Sequence, residues 1–206
     1  MKRALVIEHD ESGPAAGVGE RLVERGHQLD VFRVLDDQGE PVTDTDSIGS
    51  WIGREIEMVR TAHDAGVAVL GLCFGGQVLS TALGGEVRRV DTPELGWHEV
   101  DTDLPDAIAP GPWFEWHYDG FTVPDGATEI ARTAVSPQAF RIGRSVGTQF
   151  HPEITAEIVN LWISMDGRAL RAHGVDPAVM AARTADEVVA NRARSDVLVD
   201  WFLDGD

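Results

Sequence analysis

The stretch Val67-Ala68-Val69-Leu70-Gly71-Leu72 is apolar throughout and runs straight into Cys73, Phe74 and the pair Gly75-Gly76. An unbroken apolar run of strand length reads as a central strand buried on both faces. The glycines behind it permit a sharp turn, and Gln77 to Leu83 reads as the helix that leaves that turn. A buried strand feeding a helix fits a parallel α/β sheet. The opening of the chain agrees. Arg3 to Glu8 is a short apolar strand, and Ala15 to Arg25 a helix with Val18, Leu22 and Val23 at helical spacing. Gly26 ends that helix, and His27 to Leu35 is a second strand.

Trp51 to Ala65 repeats apolar residues at helical steps through Ile52, Ile56, Val59 and Ala62. The middle of the chain changes to short strand candidates separated by Pro and Gly turns: Glu86–Val90, Trp97–Val100, Phe121–Val123 and Glu129–Arg132. Ala139–Ile142 and Ser145–Phe150 resemble a hairpin. Beyond Pro152 the pattern turns helical, with Ile154, Ile158, Leu161 and Trp162 on one face. Thr184 followed by Glu187 is a capping-box pattern that opens a last helix through about Phe202. With no repeat, low-complexity stretch or clear linker, one domain over residues 1–206 is expected.

Composition removes several function classes. Acids outnumber bases by 35 to 17, a net charge of −18 spread along the chain, and such a surface repels nucleic-acid phosphates. No apolar run approaches the ~20 residues that span a bilayer, so no membrane partner is expected. The apolar part of the N-terminus, Ala4–Ile7, is too short for a signal peptide. With a single cysteine there is no intrachain disulfide and no Cys-rich metal site, which fits a reducing cytoplasm and a free thiol.

Two segments carry chemistry. In Gly71-Leu72-Cys73-Phe74-Gly75-Gly76-Gln77, a thiol sits between strand end and helix start. There the free N–H groups and the positive dipole end favour the reactive thiolate. The Phe74 N–H is placed to hold an oxyanion. A lone cysteine also serves as a small buried hydrophobe. In Gln149-Phe150-His151-Pro152-Glu153, His151 follows another core strand, and Glu153 can orient its ring across a stiff proline. Taken alone, a surface turn explains His-Pro-Glu equally well.

Together these segments resemble the class I glutamine amidotransferase family. GLCFGGQ matches its nucleophile motif and QFHPE its His-Glu motif, in the family's order and with Cys73 and His151 about 80 residues apart. Glu94-Leu95-Gly96-Trp97, Trp116-His117-Tyr118-Asp119 and Pro124-Asp125-Gly126-Ala127 look like further family segments, so the likeness covers about residues 1 to 165. It is nearest to stand-alone members similar to the glutaminase domain of GMP synthase. The resemblance implies a flavodoxin-like three-layer α/β sandwich with a mixed sheet. It implies a Cys73–His151–Glu153 triad that hydrolyses the side-chain amide of L-glutamine through a γ-glutamyl thioester and delivers ammonia to an acceptor. Gln77 and His117 are its substrate-binding positions, Phe74 its oxyanion donor, and no cofactor or metal is required. An ammonia-accepting synthetase would lie on another chain. A γ-glutamyl-bond hydrolase using the same triad and a catalytically silent regulatory relative are the alternatives.

One departure stands out. The family places a third strand after the second, ending in a Gly-rich turn that supplies the other oxyanion donor. Asp36 to Ser50 reads DDQGEPVTDTDSIGS and contains neither. Either the strand is absent, or about twenty residues are missing between Pro41 and Asp46 in the sequence as read. The second is expected, because losing an interior strand exposes its neighbours' backbone. His9, Asp10 and Glu11 cluster after the first strand, but no second ligand set has zinc-like spacing, so no metal is expected.

Overall fold

The computed structural model describes residues 2–34 and 48–205. In chain order the elements are β1 (Lys2–Glu8), α1 (Ala16–Glu24), β2 (His27–Arg33), α2 (Ile48–Asp64), β3 (Val69–Leu72) and α3 (Phe74–Ala82). There follow β4 (Val87–Thr102), β5 (Gly111–Phe121), β6 (Thr128–Arg132), β7 (Pro137–Ile142), β8 (Ser145–Thr148), α4 (Ala156–Ala172) and α5 (Pro177–Asp204). β1 and β2 pair in parallel. The larger sheet runs β3-β8-β7-β6-β4-β5, parallel only between β3 and β8. The chain thus adopts the expected α/β class, a mixed sheet with helices against it. Among the described residues no ladder joins β1 to β3. The interruption expected between Pro41 and Asp46 lies outside the described residues.

Several boundaries differ from the sequence reading, each for a local reason. The segments Glu86–Val90 and Trp97–Val100 are one strand, β4. A register shift between Arg89 and Glu94 absorbs Pro93, and Gly96 continues the strand at φ +104°. β5 fills Gly111–Phe121, where only its last residue was expected to be extended. Both of its faces are covered, which erases the polar alternation of a half-buried strand. α3 begins at Phe74 instead of Gln77, since Gly75 and Gly76 occupy its first turn. The capping box at Thr184 is not a helix start. α5 begins earlier, where the Asp176 side chain accepts from the Ala178 N–H (2.8 Å) and Pro177 takes the first turn. Thr184 lies inside the helix, donating to the Met180 carbonyl and accepting from the Trp97 indole (2.9 Å).

Two apolar clusters cover the β4–β5 hairpin. Leu95, Trp97 and Phe114 pack with Ile158, Val159, Leu170 and Met180 of the C-terminal helices. Val100, Ile108, Trp113 and Phe150 pack with Leu198. α5 also reaches α1, through Asp200 with Arg21 (2.5 Å) and Arg25 (2.6 Å) and through Arg192 with Glu20 and Glu24. α1 and α5 are thereby tied together.

Candidate active site

The β3–β8 ladder ends at the pair Leu72–Thr148, and the Cys73 N–H donates to the Thr148 carbonyl (2.8 Å). Parallel strands with matched ends deliver Cys73 and the segment Gln149–His151 to the same edge of the sheet. Cys73 caps α3 at φ 47°, ψ −104°, a conformation that L residues avoid. Close backbone approaches on either side hold it there. A Cβ at Gly71 would meet the Gly75 carbonyl oxygen at 2.3 Å, and one at Gly76 would meet the Thr148 oxygen at 2.4 Å. Neither obstacle is a flexible side chain. Gly76→Ala is therefore expected to destabilise the fold by about 3 kcal/mol, the upper part of the overpacking range, read as a drop in denaturant midpoint. Gly53→Ala, where an added Cβ meets nothing within 4 Å, is the control.

His151 is fixed through its backbone, which donates to the Phe114 carbonyl (2.8 Å), and through its ring, whose edge meets Trp162 at 4.9 Å. Its Nδ1 lies 2.7 Å from Glu153 Oε1 and donates there, since a carboxylate only accepts. The loop carrying both residues is pinned twice. Asn191 Nδ2 of α5 donates to the Pro152 carbonyl (3.3 Å), and the Gly17 N–H of α1 donates to the Glu153 carbonyl (3.2 Å). Both side chains are buried. Burial disfavours the imidazolium, but the Cys73 thiolate and the Glu153 carboxylate outweigh it and hold the His151 pKa well above its ordinary value. Among the described residues Nε2 makes no aligned hydrogen bond, a looseness common in catalytic contacts before substrate arrives.

Phe74 opens α3, so its N–H has no intrahelical acceptor. Gln77 lies one turn further on, its Nε2 donating to the Asp119 carbonyl (2.8 Å) and to Gln149 Oε1 (3.3 Å). His117 is buried on β5. Its Nδ1 donates to the Asp119 carbonyl (3.2 Å), and its Nε2 faces Glu94 (3.2 Å) and Glu115 (3.4 Å). It is therefore engaged at both nitrogens, and it shares the Asp119 carbonyl with Gln77. His9 stacks on Trp51 (5.2 Å) and meets the edge of Phe74 (4.7 Å), with Nε2 3.0 Å from both Glu55 oxygens. Among the described residues no group of three or more His, Cys, Asp or Glu is disposed to hold a metal.

The sequence reading passed over Gln149 and Glu115. Gln149 stands inside the quoted QFHPE motif, two residues before His151 and beside Cys73 by register, and that position was its signal. Glu115 had none, because its neighbours come from cross-strand pairing. It is fully buried, and among the described residues neither oxygen has a hydrogen-bond partner. Burial, then the nearby Glu94 charge, raises its pKa well above the ordinary carboxylate value, with His151 opposing. The folded state thus holds a proton that the unfolded chain releases. Its contribution to stability is complete below the unfolded value of 4.5 and is lost as pH rises towards the folded one. Glu115→Gln, which keeps the neutral shape, is expected to melt with the parent near pH 4 and above it at pH 8. Each kcal/mol recovered raises Tm by about 2–4 °C in a domain of this size. Equal melting temperatures at pH 8 would contradict the assignment.

The class I glutamine amidotransferase family model matches residues 20–158. A relative from Aeropyrum pernix, named glutamine-hydrolyzing GMP synthase, is 37% identical over 131 residues. The match covers 57% of this chain and 25% of that protein, so the chain spans about a quarter of its curated relative's length. Among solved structures, a glutamine amidotransferase from Methylobacillus flagellatus superposes with a TM-score of 0.86 at 22% identity, over 100% of this chain and 95% of that one. Another from Thermotoga maritima gives 0.84 at 23%, over 98% of each.

Proposed function

We propose, from the premise that the chain belongs to the class I glutamine amidotransferase family, that it hydrolyses the side-chain amide of L-glutamine. Cys73 attacks the amide carbon. The oxyanion so formed is held by the Phe74 N–H and collapses to a γ-glutamyl thioester as His151 protonates departing ammonia. Water, deprotonated by His151, then releases glutamate, and Glu153 keeps the imidazole in the required tautomer throughout. Gln77 and His117, which meet at the Asp119 carbonyl, serve substrate binding. Residues 1–206 act as one glutaminase domain in the cytoplasm, without a cofactor. The ammonia goes to an acceptor held by a synthetase on another chain.

The observation that carries this reading is the 2.7 Å contact of His151 with Glu153 at the sheet edge where the neighbouring parallel strand presents Cys73. The test is ammonia release from purified protein across glutamine, γ-glutamyl amides and γ-glutamyl peptides. Turnover of glutamine above the others is expected. A preference for γ-glutamyl peptides would replace the reading with a γ-glutamyl-bond hydrolase. Among the described residues no ladder joins β1 to β3, which favours a silent regulatory relative as the second reading, and no turnover of any compound would point to it.

A further inference from the structure

Resting on the assignment of Cys73 as nucleophile, we propose that Gln149 is a further catalytic residue, whose side-chain NH₂ is a hydrogen-bond donor to the reacting sulfur. Gln149 is fully buried, and its Nε2 lies 3.5 Å from Cys73 Sγ. The orientation of the amide follows from its surroundings. Gln77 Nε2 donates to Gln149 Oε1 (3.3 Å) and is itself anchored on the Asp119 carbonyl (2.8 Å). With its oxygen taken by a donor, the Gln149 amide presents N–H to the sulfur. The backbone is held too, through its N–H on the Gln138 carbonyl (2.8 Å).

A neutral donor held on a half-buried sulfur favours the thiolate over the thiol, because hydrogen bonds to charged acceptors are about twice as strong as neutral ones. The contact is strongest when the sulfur bears full charge and weakens once the sulfur is acylated. It therefore holds the attacking form ready and assists expulsion of the thiolate when the thioester is hydrolysed. His151 supplies the charge beside the sulfur. Gln149 supplies a direction, fixing the sulfur against rotation about its Cα–Cβ bond. Gln77 acts through Gln149 as a positioning residue, which gives the second glutamine a task besides binding substrate.

Cys73 is the only cysteine, so alkylation by iodoacetamide reads this sulfur alone and needs no turnover. The experiment follows the alkylation rate against pH for the full chain, for Gln149→Leu and for Gln149→Glu, with melting temperature measured on each. At pH 7 the leucine variant is expected to react about 10- to 100-fold more slowly, matching the loss of a hydrogen bond to a charged group, and its profile should move to higher pH. The glutamate variant, which keeps the acceptor for Gln77 but sets a carboxylate against the sulfur, should react at least as slowly. It also provides the reading if the leucine variant fails to fold. A folded variant with the parent's alkylation profile overturns the proposal, because a purely structural glutamine would change stability and leave the profile in place. If the profiles shift while the parent releases no ammonia, the donor stands and the glutaminase reading falls. If the parent releases ammonia and the profiles do not shift, the donor falls and the glutaminase reading stands.

Discussion

Cys73→Ala is expected to lower ammonia release from glutamine by about 10⁴-fold or more, the scale seen when a covalent nucleophile is removed. No other residue can take over. The chain holds no second thiol, and without a thioester the hydrolysis must pass through direct attack of water on an unactivated amide. The fold should survive. Alanine keeps the β-carbon that the elbow already tolerates at φ 47°, and the Cys73 N–H still meets the Thr148 carbonyl. Cys73→Gly sharpens the comparison. It removes the same chemistry but relieves a backbone conformation that costs about 1–3 kcal/mol, so it should melt above the alanine variant. Ammonia release by Cys73→Ala at the parent's rate would remove the mechanism. A glycine variant melting below the alanine one would remove the strain.

His151→Asn should approach the same loss, about 10³- to 10⁴-fold, since general acid–base work and formation of the reactive ion pair fail together. Glu153→Gln should cost less, about 10²-fold, because the carboxylate orients and charges the imidazole without touching substrate. Their pH profiles should separate as well. The parent's His151 titrates well above an ordinary histidine because thiolate and carboxylate flank it. Without the Glu153 charge, the imidazolium gives up its proton at lower pH, so the alkaline limb of kcat/KM should move down in Glu153→Gln. A Glu153→Gln variant as inactive as His151→Asn, with an unmoved limb, would assign Glu153 another task.

The parts legible in the sequence were those encoded by neighbours in the chain. Cys73, His151 and Glu153 each sit within a few residues of the strand end that presents them. Val67–Leu72 was legible as a strand but not as a central one: among the described residues β3 lies at the edge of its sheet, only Gly71 of it is buried, and Val67 is 53% exposed. What sequence could not give depended on register. The Glu94–His117–Glu115 group forms only because β4 shifts past Pro93 before pairing with β5, and no periodicity encodes that slip. The start of α5 was misplaced for a related reason. Its many polar residues face other elements, as Thr184 does at Trp97 and Asn191 at Pro152, so its helical stripe is blurred and a chance Thr–Glu spacing looked like a beginning. The segment from 35 to 47, where the family's third strand was expected, lies outside the described residues.

The double pinning of the Pro152–Glu153 loop has a consequence for timing during synthesis. The elbow around Cys73 is complete once β8 brings Thr148 to pair beside it. The loop bearing His151 gains its anchor on Pro152 only when Asn191 arrives, and α5 itself then locks onto α1 through Arg21 and Asp200. At about 5–20 residues per second, a nascent chain carries a completed thiol elbow for some seconds before its histidine loop is fastened. Nucleophile and base are therefore assembled in sequence. A half-made chain withholds the second partner until the last helix closes on the first.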